Sequence, residues 1–289
     1  MRNVLIVAAA LLFASAASAQ PSASASDKEA AMFSRSAGYE RFMGRWSQLL
    51  AAQYVAFAGV KNGDRVLDVG TGTGAVADRI AVTWPAAEVV GIDPSEGFIA
   101  FARKSAPSKR VRFEVGDAQS LGFPDASFDQ TLALLVVNFI PDPGKAIREM
   151  RRVTRPRGTV SACVWDYDSG MQMTRLFWDE VVALEPSLAS KDQRNMKFAR
   201  QGELGEAWRN AGFVEVEEKP LVIDQAFASF DDYWQPFLEA TGGGGRLVST
   251  LSPDQRKQLE SRLRKRLLGD RGDGPFVLKA RAWCVKGQA

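Results

Sequence analysis

Apolar positions divide the chain into short continuous runs and longer segments in which they recur every three or four residues. The runs are rich in β-branched residues and predict strands, whereas the periodic segments predict amphipathic helices. Because the first and fourth of these runs are nearly all apolar, they are typical of a parallel sheet buried on both faces. With helices between the strands, the expected fold is α/β with a doubly wound sheet. The first five strands are predicted at 65–69, 88–93, 111–115, 130–139 and 159–165.

The rest of the pattern adds an N-terminal helix, a helical insert after the fifth strand, and two further strands that bring the sheet to seven. Ser252 and Gln255 form a capping-box signature at the start of one of these helices. The segments are, in order, a helix at 30–59, an apolar helical stripe at 171–184, a helix at 204–211, a strand at 213–217, an aromatic helical lid at 227–238, a flexible glycine loop at 242–245, a helix at 252–269 and a strand at 277–285.

A glycine-rich turn follows the first strand. The strand carries the carboxylate of Asp68 near its end, and Gly70, Gly72 and Gly74 follow before a helix that begins near Ala75. Glycine has no Cβ atom, so the backbone can turn tightly there and approach a ligand closely. The N-terminus of the following helix directs unpaired N–H groups toward the same space. This order of strand, turn and helix predicts a nucleotide-binding α/β domain.

The charge of Asp68 indicates which nucleotide the turn accepts. A dinucleotide fingerprint fits loosely, because Ala75 follows Gly70 and Gly72 at the required spacing. A pyrophosphate is anionic, however, and a carboxylate two residues before the first glycine would repel it. A ligand that carries a cationic amine and a sulfonium would be attracted by the same carboxylate.

The run VLDVGTGTG, from Val66 to Gly74, resembles the first motif of class I S-adenosylmethionine (SAM)-dependent methyltransferases. The resemblance implies a Rossmann-like seven-stranded sheet with an antiparallel last strand, and SAM as the cofactor. It also implies that the motif holds the methionine end of SAM. The chain is most similar to the branch of small-molecule methyltransferases that includes ubiquinone and menaquinone biosynthesis enzymes. The residues expected at the methionine end are Asp68, Gly70, Thr71, Gly72 and Gly74.

A second carboxylate, Asp93, ends the second strand about twenty residues after the glycines, the distance at which a βαβ unit places an acid beside a ribose. We expect Asp93 to accept hydrogen bonds from both ribose hydroxyls, with Pro94 beside it in the cofactor site. The alternative is that Asp93 is the N-cap of the next helix, since Pro94 and Ser95 follow it.

The sequence Gly116-Asp117-Ala118 follows the third strand. It is similar to the third motif of the same family, which implies that Asp117 and Ala118 contact the adenine of SAM. A plain turn at Gly116 and Asp117 is the alternative interpretation.

Three residues are candidates for contacting the methyl acceptor. Asn138 stands where related methyltransferases often carry a histidine, and an asparagine cannot act as a base at neutral pH. Asp166 and Tyr167 come at the carboxyl end of the fifth strand, where ligands bind in doubly wound sheets. No catalytic residue is assigned, because methyl transfer from a sulfonium needs mainly positioning and desolvation.

The expected function is SAM-dependent methyl transfer to a small, partly apolar acceptor. An exported SAM-binding protein without catalytic activity is one alternative, because the motif describes binding alone. A nicotinamide-dependent oxidoreductase is another, although none of the four tyrosines has a lysine four residues further on. The chain contains no histidine, which excludes histidine-ligated metal sites, and no metal is expected. A net charge of +3 is too small to indicate nucleic acid as a partner.

The first residues resemble a secretory signal peptide. The apolar run 4–14 is followed by Ala17-Ser18-Ala19, which fits cleavage before Gln20, and 20–29 has the composition of a disordered spacer. We therefore expect a signal peptide at 1–19, a methyltransferase domain at 30–289, export to the periplasm and no membrane span after cleavage. An uncleaved anchor is the alternative, and cytoplasmic SAM supply conflicts with export.

The two cysteines, Cys163 and Cys284, are both predicted in strands. Neither belongs to a Cys-x-x-Cys pair, so the sequence favours two separate core thiols. A disulfide between them is the alternative, because an exported protein meets an oxidising environment.

Overall fold

The computed structural model describes residues 40–239 and 242–289. The predicted signal peptide at 1–19 and spacer at 20–29 lie outside these residues. Seven strands form one sheet in the order β3-β2-β1-β4-β5-β7-β6, which confirms the doubly wound α/β fold. The strands are β1 (Arg65–Val69), β2 (Glu88–Asp93), β3 (Val111–Val115), β4 (Phe128–Leu134), β5 (Thr154–Trp165), β6 (Val214–Phe227) and β7 (Phe276–Gln288).

Helices cover both sides of the sheet, and a helical insert follows β5 as expected. A short π-helix precedes α1, and 3₁₀ turns occupy Val137–Phe139, Pro186–Lys191 and Gln193–Asn195. No helix of the described ranges is long and apolar enough to span a membrane. The helices are α1 (Arg45–Ala58), α2 (Ala75–Thr83), α3 (Glu96–Ser105), α4 (Pro143–Val153), α5 (Gln172–Leu184), α6 (Glu203–Asn210), α7 (Phe230–Leu238), α8 (Gly242–Thr250) and α9 (Pro253–Leu268).

The first five strands run parallel, and the strand order reverses between β1 and β4. A crevice opens beyond the carboxyl ends of the strands at such a reversal, and it is the usual ligand site of open α/β sheets. The glycine turn after β1 and the end of β4 lie at this position. The fold therefore brings the predicted cofactor motif to the edge where a ligand can reach it.

The last strand pairs antiparallel with both β5 and β6, as the resemblance implied. The predicted strand at 213–217 is too short, because β6 continues to Phe227. Most of the first half of β6 is exposed, and it contains charged side chains such as Glu215, Glu217 and Lys219. An edge strand of this kind lacks the continuous apolar run that identifies the central strands.

Cys163 of β5 and Cys284 of β7 are directly paired residues and form a disulfide. The expectation of two separate thiols is therefore wrong. Cross-strand neighbours lie close enough for a bond, and here the Cα atoms are 4.1 Å apart. Sequence spacing could not reveal this, because the cysteines are separated by 121 positions that include the whole insert and β6.

Three further expectations are corrected. Residues 116–127 connect β3 to β4 without a helix. The fourth strand ends at Leu134, because Leu135 adopts a left-handed conformation with φ of 60° that a strand cannot continue. Residues 242–245, predicted as a flexible loop, form the first turn of α8.

Candidate functional site

The glycine turn is fixed by positive φ angles and by close contacts. Gly70 has a φ of 68°, and a Cβ atom there would collide with the side chain of Val136. Gly72 has a φ of 55°, but a Cβ atom there would meet nothing within 4 Å. The first glycine is thus required by packing, whereas Gly72 faces open space. An open position in a tight turn is where a ligand can approach the backbone.

Asp68 lies beneath this turn and is 1% exposed. Burial raises the pKa of its carboxyl to about 7, and the hydrogen bond from the Thr71 hydroxyl, 2.6 Å long, opposes that rise. The neighbouring carboxylates Asp93 and Asp78 raise the pKa further. A buried carboxylate without a cation beside it is electrostatically costly. The site therefore favours a ligand that supplies positive charge.

Asp93, at the end of β2, is connected to the same turn. Its carboxylate accepts hydrogen bonds from the backbone N–H of Gly72 at 3.1 Å and of Ser95 at 2.9 Å. Burial raises its pKa, and these two N–H groups oppose the rise. The N-cap of α3 is Ser95, whose hydroxyl accepts from the Phe98 N–H, so the interpretation of Asp93 as that cap is wrong. Pro94 follows Asp93 on the surface.

A small cavity of about 30 Å³ opens at the turn. It brings together four of the five residues predicted at the methionine end of SAM, namely Asp68, Gly70, Thr71 and Gly72. Gly74, the fifth, is the N-cap of α2 with a φ of 100°. The other lining residues are Ser47, Thr73, Ala75, Val76 and Leu134.

Asp117 and Ala118 lie in the loop that follows β3, beside the loop that carries Asp93. The backbone N–H of Gly116 donates to the carbonyl of Asp93, which joins the two loops. The Asp117 carboxylate is exposed and accepts from the backbone N–H of Gln119 at 2.8 Å. Both residues therefore stand at the same edge of the sheet as the glycine turn, but outside the small cavity.

A larger cavity of about 230 Å³ lies beyond the end of β4 and is mainly apolar. Tyr167 is the predicted acceptor residue that lines it. Sequence pattern alone could not select the other members, since they come from several segments of the chain. The remaining lining residues are Phe42, Met43, Leu135, Phe139, Trp165, Thr174, Gln193, Phe237, Gly242, Gly243, Gly244 and Arg246.

The other two predicted acceptor residues have different surroundings. Asp166 is buried, and its Oδ2 accepts from Arg281 Nε at 2.7 Å while its Oδ1 accepts from the backbone N–H of Ser169. The ion pair between Asp166 and Arg281 connects the chain after β5 to β7. A contact between Asp166 and the acceptor stays a prediction. Asn138 is 8% exposed, and its amide has no hydrogen-bond partner among the described residues.

Comparison with known proteins identifies the family. A sequence model described as methyltransferase domain matches residues 67–162. A demethylmenaquinone methyltransferase of Geobacillus kaustophilus is 30% identical over 183 residues, which cover 58% of this chain and 78% of the relative. The chain belongs to the SAM-dependent methyltransferases. A malonyl-(acyl-carrier protein) O-methyltransferase of Halorhodospira halophila is also 29% identical to this methyltransferase. The match covers 69% of this chain and 66% of the relative.

A solved structure supports the same fold for the methyltransferase. Phosphoethanolamine N-methyltransferase 2 of Haemonchus contortus, in complex with SAM, matches it with a TM-score of 0.55 and 20% identity. The match covers 90% of this chain and 57% of that one. SAM is the cofactor of the methyltransferase, and the residues present suit it. The buried carboxylate of Asp68 offers negative charge to a cationic ligand, and the open side of Gly72 leaves room for one.

Proposed function

We propose that the enzyme methylates a small, partly apolar molecule that binds in the larger cavity while SAM occupies the glycine turn. One observation carries the proposal. Leu134 lines the small cavity and the next residue, Leu135, lines the larger one. Methyl transfer requires the acceptor atom to lie next to the sulfonium methyl group, and two cavities lined by consecutive residues support such an arrangement.

The N-terminal segment supports the same arrangement. Phe42 and Met43 line the larger cavity, and Ser47, about one helical turn further on, lines the small one. The segment thus contributes to the walls of both cavities. A shared wall would help to exclude water from the transferred methyl group, which would strengthen electrostatic interactions there.

The parts of SAM assigned to the predicted cofactor residues follow from the family resemblance together with the chemistry of the side chains. Asp68 would attract the positive charge of the methionine end, and the backbone at Gly70, Thr71, Gly72 and Gly74 would surround that end. Asp93 and Pro94 would contact the ribose, since a carboxylate can accept from both hydroxyls. Asp117 and Ala118 would contact the adenine at the neighbouring loop.

Methyl transfer from SAM requires little from the protein beyond positioning the two reactants. SAM supplies a methyl group on a positively charged sulfur that leaves as a neutral thioether. The chain holds the acceptor through the aromatic side chains of the larger cavity and keeps water away from it. A ring-shaped apolar acceptor of the kind named for the Geobacillus relative, demethylmenaquinone, matches such a lining.

Phe139 offers a direct test because it lines the larger cavity yet is 60% exposed, so its removal should leave the fold intact. We expect Phe139→Ala to raise the KM for a short-chain demethylmenaquinone by about fivefold, as loss of a partly buried ring implies, with little change in kcat. The measurement is transfer of radiolabelled methyl from SAM. Val277→Ala is the matched control, since Val277 is similarly exposed on β7. Equal kinetics for both variants would contradict the assignment of the cavity.

We also propose that the protein is exported, as the signal-like residues 1–19 suggest. The disulfide between Cys163 and Cys284 supports this, because disulfides persist mainly in oxidising compartments. Fractionation of cells that express the full chain tests the proposal, and recovery in the cytoplasm with residues 1–19 retained would contradict it.

A further inference from the structure

We propose that Gln193 selects the methyl acceptor by donating a hydrogen bond from its Nε2 to an oxygen atom on the acceptor ring. This role rests on the proposed function, in which the larger cavity holds the methyl acceptor. Gln193 lines that cavity, and most of the other lining side chains are apolar. A donor fixed at one point of an apolar wall would orient a ring that apolar contacts alone leave free to turn.

The orientation of the Gln193 amide is fixed by Trp178. The indole N–H of Trp178 donates to Oε1 of Gln193 at 2.9 Å, and Trp178 is 2% exposed. An indole N–H can only donate, so the amide must turn its oxygen, and not its NH2 group, toward Trp178. The reversed amide would set donor against donor and leave a buried N–H without a partner, which is unfavourable. Nε2 is therefore the end of the amide that faces away from Trp178.

Open space lies beside Nε2, on the side of Gly243. Gln193 and Gly243 both line the larger cavity, whereas Trp178 does not. A Cβ atom at Gly243 would stand 3.8 Å from Nε2, and beyond the adjoining backbone it would meet no described residue other than Gln193 within 4 Å. The bond to Trp178 is the one side-chain hydrogen bond that Gln193 makes within the described ranges. An NH2 group with two unused protons thus borders the cavity.

A buried ion pair holds the turn that carries Gln193. Asp192 caps the 3₁₀ turn Gln193–Asn195 by accepting from the Arg194 N–H at 2.9 Å. Asp192 is 5% exposed, and its two oxygens accept from Arg175 of α5 at 3.0 Å and 2.8 Å. Bidentate contacts of this kind restrict angle as well as distance. The turn is therefore attached to α5 twice, through Asp192 and through Trp178, and a donor held in place loses little freedom when a ligand binds.

The hydroxyl of Thr174 also lines the cavity and offers a ligand the opposite character. It donates to the Met171 carbonyl at 3.2 Å, so while that bond is kept its oxygen can only accept from a ligand. Gln193 presents N–H groups instead. A ring without an oxygen would displace water from Nε2 and leave these protons unpaired, and a site that donates discriminates against a molecule that cannot accept. A ring carbonyl or hydroxyl oxygen satisfies it.

The test compares two bicyclic ligands that differ in one oxygen, 1-tetralone with a ring carbonyl and tetralin without one. Equilibrium dialysis measures binding to the full-length protein saturated with S-adenosylhomocysteine. The quantity compared is the ratio of the two affinities, because the more apolar tetralin gains more from leaving water. Gln193→Glu keeps an oxygen for Trp178 but replaces the NH2 group by a second oxygen. It should lower the ratio of 1-tetralone to tetralin affinity by at least about fivefold, the net value of one hydrogen bond.

Two further variants separate the lost donor from added charge. Gln193→Met keeps the length of the side chain without charge or donor, and it should also lower the ratio by about fivefold. Gln201→Glu makes the same amide-to-acid change at an exposed residue outside the cavity, and it should leave the ratio unchanged.

The outcomes distinguish Gln193 from the cavity that contains it. If both Gln193 variants keep the wild-type ratio, the assignment to Gln193 is overturned, although the cavity still binds rings. If Gln201→Glu lowers the ratio as far as Gln193→Glu does, and Gln193→Met does not lower it, charge explains the effect and the assignment is again overturned. If neither ligand binds wild type, the cavity is not the acceptor site, and the proposed function fails together with the role of Gln193.

Discussion

The hydroxyl of Thr71 donates a hydrogen bond of 2.6 Å to the buried carboxylate of Asp68. The two residues stand at opposite ends of the first bend of the glycine turn, so the bond ties the turn to the strand beneath it. It also lowers the pKa of a carboxyl that burial raises to about 7. Asp68 therefore changes its charge within the physiological range, and the binding of a cationic cofactor should follow that change.

The first prediction concerns pH. Because SAM would bind the ionised carboxylate, we expect its affinity to be about tenfold weaker at about pH 6 than at about pH 8. Stability should change in the opposite direction. The folded-state pKa exceeds the unfolded value, so the free energy of unfolding without cofactor should fall as pH rises from about 4 to about 7. Calorimetric titration and urea unfolding measure the two effects.

Asp68→Asn is the control for both measurements, because the amide fills the same space without titrating. The variant should bind SAM weakly at every pH, and its stability should lack the component that wild type loses between about pH 4 and about pH 7. A variant whose SAM affinity keeps the wild-type pH profile would show that another group controls binding.

The second prediction separates packing from ligand contact in the turn. Gly70→Ala should destabilise the protein by about 3 kcal/mol, because a methyl group would overlap Val136 and the φ is positive. Gly72→Ala introduces only the strain of a positive φ, so a loss of stability of about 1 kcal/mol is expected. Its methyl group would nevertheless enter the space where we expect the cofactor to bind. In urea unfolding, Gly70→Ala should therefore lose more stability than Gly72→Ala. In SAM titration, Gly72→Ala should lose more affinity relative to its loss of stability than Gly70→Ala. Similar losses of stability would contradict the distinction.

Much of the first half of the fold could be predicted from the sequence. Strands β1 and β2 are mainly apolar, β3 alternates apolar residues with Arg112 and Glu114, and all three strands have the bounds predicted for them. The glycine turn and Asp93 lie at one edge because parallel strands place their carboxyl ends together. These features depend on local sequence pattern and on one topological rule about parallel strands. Both can be applied to a single sequence, so the features could be predicted.

The larger cavity could not be predicted in the same way. Its walls combine Phe42, Trp165 and the segment from Phe237 to Arg246, which are far apart in the chain and share no periodicity. The α8 glycines contradict helix propensity, and only packing against Phe237 explains their conformation. Tertiary contacts determine the structure of these elements. The local sequence therefore predicted a loop at 242–245, which is wrong, and did not indicate that Arg246 lines a cavity.

The third prediction concerns Tyr54, which fastens α1 to the sheet behind the site. Its buried hydroxyl donates to the carbonyl of Ser161 at 2.8 Å and accepts from the Ala133 N–H and the Ser161 hydroxyl. Tyr54→Phe strands two buried donors, so a loss of about 2–3 kcal/mol is expected in urea unfolding. Tyr233→Phe is the comparison, since its hydroxyl makes one bond, to the Met173 carbonyl, and about 1 kcal/mol is expected. Equal losses would mean that the Tyr54 network contributes nothing beyond a single bond.

The last prediction concerns the disulfide, which closes a long loop between β5 and β7. A link across 121 residues restricts the unfolded chain strongly, so opening it should reduce the free energy of unfolding by about 2–5 kcal/mol. Protein isolated from an oxidising compartment should take up thiol-alkylating reagent only after denaturation with reductant. The double variant Cys163→Ala/Cys284→Ala should match reduced wild type in stability and should not respond to reductant. If wild type and the double variant unfold alike under oxidising conditions, the bond does not stabilise the fold. Free thiols in freshly isolated exported protein would show instead that the bond does not form there.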